Sequence, residues 1–109
     1  MISVADSFEP HVVDLLGVEY ETTPRTRSVT LAAQKLGEKE GDILDDENAS
    51  PDAQVDYLAK MIALRLKPRT EDALSADKHL LSLWKDDRLS IDQVLQLIDD
   101  LQAAESGKA

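Results

Sequence analysis

The sequence predicts a mainly α fold, a small helical domain of about four helices with an extended or weakly β amino-terminal arm. Three observations predict it. Beyond residue 25, apolar residues recur at helical spacing in several stretches, each opened by a serine or threonine able to cap a helix. Before residue 25, Pro10, Gly17 and the β-branched Val12, Val13 and Val18 favour extended backbone instead. A composition of 42% apolar and 31% charged residues over 109 positions suits one compact core, burying roughly two thirds of the surface the unfolded chain exposes.

The expected boundaries are an arm over 1–24, a helical domain over 25–104 and a fraying tail over 105–109. Within the arm, "HVVDLLGVEY" reads as a short strand or extended segment, with a marginal helical alternative from Val13 to Leu16. Such an arm packs across its own domain or pairs with another chain. After Pro24, Thr26 or Ser28 caps a helix running toward Lys39, with Val29, Ala32, Ala33 and Leu36 on one face and Gly37 or Gly41 ending it. The acidic connector "EKEGDILDDENA" follows. Ser50 as cap, Pro51 at the first helical position and Asp52 in the first turn open the best-defined helix. Its stripe of Val55, Leu58, Met61, Ile62 and Leu66 is widened by Tyr57 and Leu64, and Pro68 ends it near Leu66 and Lys67. Thr70, or alternatively Ser75, opens a third helix carrying Leu74, Leu80, Leu81 and Trp84. After the turn "KDDRL", Ser90 and Gln93 form a capping box that starts the last helix. There Ile91, Val94, Leu95, Ile98 and Leu101 share one side, opposite Asp92, Asp99 and Asp100.

Charge is blocked along the chain. Residues 1–21 carry five acids and no base, 22–36 three bases and no acid, and 57–70 four bases and no acid, within a net charge of −10. A chain so acidic repels phosphate backbones and anionic lipid surfaces, so neither nucleic acid nor membrane is an expected partner. "LWKDDRLSIDQVLQLIDDL" has the outline of a helix, turn and helix that reads DNA, but Asp92, Asp99 and Asp100 give its second helix the wrong sign. No apolar run approaches the roughly 18 residues of a spanning helix, and no targeting signal is visible, so a soluble cytoplasmic protein is expected. The absence of cysteine excludes disulfides and thiolate zinc sites.

No catalytic constellation is visible. The two histidines stand apart, the four glycines are isolated, and the pairs Asp45 and Asp46, Asp86 and Asp87, and Asp99 and Asp100 diverge when placed on a helix. His79 and Asp86 share a helical spacing that any two residues seven apart share. The acidic connector lacks the alternating oxygen ligands and central glycine of a calcium loop. No enzyme activity, cofactor or metal is therefore expected.

The order of elements carries a resemblance. An acidic arm ending in "LGVEY", a helix after "TPRTRSV", a longer helix around "VDYLAKMIALRLKP" and the terminal "LSIDQVLQLIDDL" together resemble the tail assembly chaperones of long-tailed, siphovirus-type bacteriophages, over most of the chain. The resemblance implies a non-enzymatic protein of the host cytoplasm that binds the tape measure protein, keeps it soluble, recruits tail tube subunits and is missing from the finished virion. It also implies a longer form made by ribosomal slippage, and Gly107 and Lys108 can be encoded by a G-then-A run of the slippery kind. Two other classes fit the residues: an acidic adaptor or inhibitor, antitoxin-like or mimicking nucleic acid, and a small structural virion or scaffold subunit.

If a partner is bound, the stripe of Val55, Leu58, Met61 and Ile62, or the face of Leu80, Leu81 and Trp84, is the expected surface, although the same residues are first candidates for the core. Stripes this wide leave monomer and homo-oligomer equally open. Arg25 and Arg27, in a basic island between acidic segments, are expected to hold the arm or the 38–49 connector in place, within one subunit or between copies.

Overall fold

The computed structural model describes residues 10–106; residues 1–9 of the expected arm, and Gly107 and Lys108 with them, lie outside the described residues. Strands β1 (Val12–Leu15) and β2 (Val18–Thr22) come first, followed by α1 (Arg27–Glu40) and a 3-10 turn over Gly41–Leu44. Then come α2 (Pro51–Ala63), β3 (Leu66–Pro68), α3 (Ala76–Lys85) and α4 (Ile91–Ser106). The three strands form one antiparallel sheet in the order β1-β2-β3. This corrects the mainly α expectation with its weakly β arm: the chain is a small α/β domain, and residues 12–22 supply two strands of its sheet.

The sheet exists because the two faces of β1 and β2 differ. Val13 pairs with Tyr20 and Leu15 with Val18, and these residues turn inward. Val12, Asp14 and Glu19 between them are exposed, which is the period-two alternation of a sheet with one buried face. Leu16 and Gly17 close the hairpin with φ of 53° and 100°, both in the left-handed region that a two-residue type I′ turn requires. The amide of Gly17 donates to Asp14 Oδ1 at 2.8 Å.

β3 lies where the sequence predicts the tail of a helix. The helix α2 ends at Ala63, one turn earlier than its apolar stripe suggests. Continued helix through Pro68 would press the proline ring against the carbonyl of Leu64. The chain turns instead, Leu66 pairs with Thr22 and Pro68 with Tyr20, and Leu66 is buried under the sheet. Proline is tolerated there because β3 is an edge strand. Arg65 clamps the turn, its Nη2 donating to the carbonyl of Thr23 at 2.9 Å while its own carbonyl accepts from the Thr23 amide at 2.9 Å.

The helix starts follow local chemistry. Thr26 Oγ1 accepts from the Val29 amide and Ser50 Oγ from the Ala53 amide, capping α1 and α2. Ser90 and Gln93 form the reciprocal box expected for α4, with bonds of 2.8 Å and 3.1 Å. α3 begins after Ser75 rather than Thr70, and residues 69–75 are loop. Gly41 does not stop α1 in a left-handed cap; its φ is −60° and the chain tightens into the 3-10 turn.

α2 is the central element, touching α1, α3, α4, the 3-10 turn and β3. It therefore buries residues on more than one side: Val55, Leu58, Ala59 and Ile62 on one, Tyr57 on another. Tyr20, Leu15, Leu66, Leu80, Val94 and Leu101 complete the core. α1, by contrast, has no buried residue; its half-buried face carries Val29, Ala32, Ala33, Leu36 and Gly37, of which three are small. Among the described residues no helix is long and apolar enough to cross a membrane.

Candidate partner-binding groove

The small side chains of α1 leave space between that helix and its neighbours. A groove of about 280 Å³ opens there, walled by Val29 and Ala33 of α1, floored by Met61 and Ile62 of α2, and closed by Ile98 and Leu101 of α4. Arg25, Thr30 and Gln102 stand exposed at its edge, and Arg65 lines it from the turn after α2. The volume is just below the roughly 300 Å³ at which pockets begin to enclose a whole small molecule. It suits one or two apolar side chains rather than a cofactor.

Electrostatically the groove joins the two basic islands of the sequence. Burial, and after it the neighbouring positive charge of Arg25, lowers the pKa of Arg65 from its ordinary range. Two like charges are thus held beside one apolar cleft in a protein of net charge −10. Arg27, at the first turn of α1, is exposed.

Other bases engage the acidic segments among the described residues. Lys60 reaches Glu40 at 3.4 Å and Asp56 at 3.1 Å, and Gln54 Nε2 donates to the Ile43 carbonyl at 3.2 Å, so α2 fixes the start of the connector. The hydrogen bond to Asp56, ahead of the contact with Glu40, raises the pKa of Lys60. On the sheet, Arg69 pairs with Glu19 at 3.2 Å.

The residues expected on a partner surface divide. Val55, Leu58, Ile62 and Leu80 belong to the core, each 5% exposed or less, and have no surface to offer while the fold is intact. Met61 is half-buried and faces the groove. Leu81 and Trp84 are half-buried on α3, where the indole Nε1 donates to Asp52 Oδ1 at 2.7 Å and ties the end of α3 to the start of α2. Sequence reasoning placed Val29 and Ala33 on one helical face, and Ile98 and Leu101 on another, but not against each other. The signal was the small size of the α1 stripe, which cannot fill the gap it faces. Arg65 carried no signal beyond its place in the second basic island.

The histidines are engaged or peripheral. His79 Nε2 donates to the Leu15 carbonyl at 2.6 Å and its ring lies 6.0 Å from that of Tyr20. His11 is exposed beside Thr22, whose Oγ1 accepts from the His11 amide at 2.8 Å. Among the described residues no group of three or more His, Cys, Asp or Glu is placed to hold a metal ion. The sequence matches no protein-family model, and comparison with curated proteins and with solved structures finds no match.

Proposed function

We propose that this chain is a non-enzymatic tail assembly chaperone of a long-tailed bacteriophage, binding the tape measure protein in the host cytoplasm and helping to recruit tail tube subunits. The order of elements suggested it, and the observation that carries it is the half-open groove beside α1: an apolar cleft on a strongly acidic protein. Such a surface receives apolar side chains of a partner helix while the −10 charge keeps the pair in solution. The chaperone releases its client as the tube forms and is missing from the virion. The test is co-expression with a tape measure protein from the same genome: the chain raises the soluble fraction of that protein. An unchanged soluble fraction rejects the function.

A further inference from the structure

We infer that the outer edge of β1 is a docking site for an extended basic segment of a second partner, which joins the sheet as an antiparallel fourth strand and sets a lysine or arginine opposite Asp14 and a β-branched residue opposite Val12. This edge is separate from the groove, and its chemistry does not rest on the chaperone function proposed above.

The backbone of β1 is half used. The Thr22 amide donates to the His11 carbonyl at 2.9 Å, so His11 and Thr22 form a hydrogen-bonded pair of the antiparallel ladder. Alternation makes Val13 with Tyr20 and Leu15 with Val18 the next such pairs, and turns the N–H and C=O groups of Val12 and Asp14 away from β2. Among the described residues no strand lies on that side; α3 meets β1 at its last residue, where His79 bonds the Leu15 carbonyl. The opposite edge is guarded: β3 is three residues long, ends in Pro68 and has α2 and α3 packed against it. β1 holds neither proline nor lysine. Its one charge, Asp14, sets the sign of the partner.

On the exposed face Asp14 stands directly opposite Glu19, a like-charge pair that destabilises a sheet. Arg69 answers Glu19 at 3.2 Å, whereas the Asp14 carboxylate has the Gly17 amide on Oδ1 and no cation among the described residues. A base on an added strand fills that place. Val12, 53% exposed, offers the apolar contact two residues away. The added strand therefore carries its base and its β-branched residue two positions apart, and their own N–H and C=O groups bond those of Asp14 and Val12. A second copy of β1 is the wrong occupant, because it brings another Asp14 and another net charge of −10 to the join.

The probe is a fluorescein-labelled peptide of about six residues, with valine and lysine two positions apart and threonine elsewhere. Companion peptides carry glutamate in place of the lysine, or N-methyl groups on the valine and lysine, whose amides face β1, or on the alternate residues, whose amides face away. Fluorescence anisotropy is read against the full chain, with circular dichroism confirming that each variant is folded. The lysine peptide binds the unmodified chain more tightly than the glutamate peptide. Methylation of the facing amides abolishes its binding, and methylation of the alternate amides does not. Asp14→Asn keeps an acceptor for the Gly17 amide and weakens the lysine peptide about threefold. Asp99→Asn, an equal change of net charge at an exposed position of α4, leaves binding as it was. Val12→Pro removes an N–H that β2 does not use and weakens every peptide. The inference is overturned if no peptide binds, if methylation acts alike at both sets of amides, or if Asp14→Asn and Asp99→Asn act alike. It is also overturned by concentration-dependent self-association that Val12→Pro abolishes, which assigns the edge to a second copy.

Discussion

The phenol of Tyr20 donates to the carbonyl oxygen of Leu74 at 2.6 Å, fastening the middle strand of the sheet to the loop that leads into α3. The ring of Tyr20 is fully buried, and burial first, then the negative charge of Asp77, raises its pKa from the ordinary 10.0. A raised pKa means that the folded state binds the proton more tightly than the unfolded one. The stability that depends on the neutral phenol is present below pH 10.0 and is lost as the pH climbs from there through the folded value. Tyr20→Phe keeps the ring, loses the hydrogen bond and costs about 1 kcal/mol at neutral pH. It also loses less stability than the unmodified chain on going to strongly alkaline solution. Lys60 titrates in the same window, so the difference between the two proteins isolates the phenol. Urea unfolding followed by the fluorescence of Trp84, the sole tryptophan, measures both effects.

The hairpin turn holds a leucine where leucine is disfavoured. Leu16 has a φ of 53° and is 47% exposed, so it bears left-handed strain with little burial in return. Leu16→Asn places the residue preferred before glycine in a type I′ turn and raises stability by about 1 kcal/mol. Gly17→Ala does the opposite through backbone strain at φ 100°, since the added methyl meets no atom within 4 Å. Thermal unfolding of the two variants gives shifts of opposite sign.

Gly37 lies inside α1, where a glycine costs conformational entropy. A methyl there meets only the Tyr57 hydroxyl, at 4.0 Å, an ordinary contact distance. Gly37→Ala therefore stabilises by about 0.5–1 kcal/mol, seen as a higher urea midpoint with an unchanged slope.

Core and surface within α3 separate by truncation. Leu80 is 1% exposed and Leu81 beside it is half-buried. Leu80→Ala costs about 2–5 kcal/mol, and Leu81→Ala costs less than half as much under the same conditions.

Much of the helical architecture was legible in the sequence because its signals are local. Ser50 with Pro51, the Ser90 and Gln93 box and Thr26 each act within one turn of the residues they cap. The sheet was less legible. Val12, Val13 and Val18 marked extended backbone, yet "LLGV" lacks the asparagine or aspartate that usually announces a tight hairpin. β3 is three residues long, too short to show a period, and Leu66 continued the apolar stripe of α2 so well that it read as helix. Only long-range pairing with Thr22 and Tyr20 makes it a strand. The groove was illegible for a related reason. Arg25 and Arg65 are forty positions apart, and the gap beside Ala33 exists only once α1 and α4 are set around α2. The wide stripe that drew attention to Val55, Leu58 and Ile62 marks the core, as the centrality of α2 requires, and Leu80 of α3 packs into the same core.

The most direct measurement is amide hydrogen exchange on the chain alone and in complex with the tape measure protein. Binding in the groove protects residues 27–36 of α1 and 95–102 of α4 while leaving β1 and the outer face of α3 unchanged. Protection confined to the β1 edge or to the Trp84 face, with α1 exchanging as in the free chain, contradicts it.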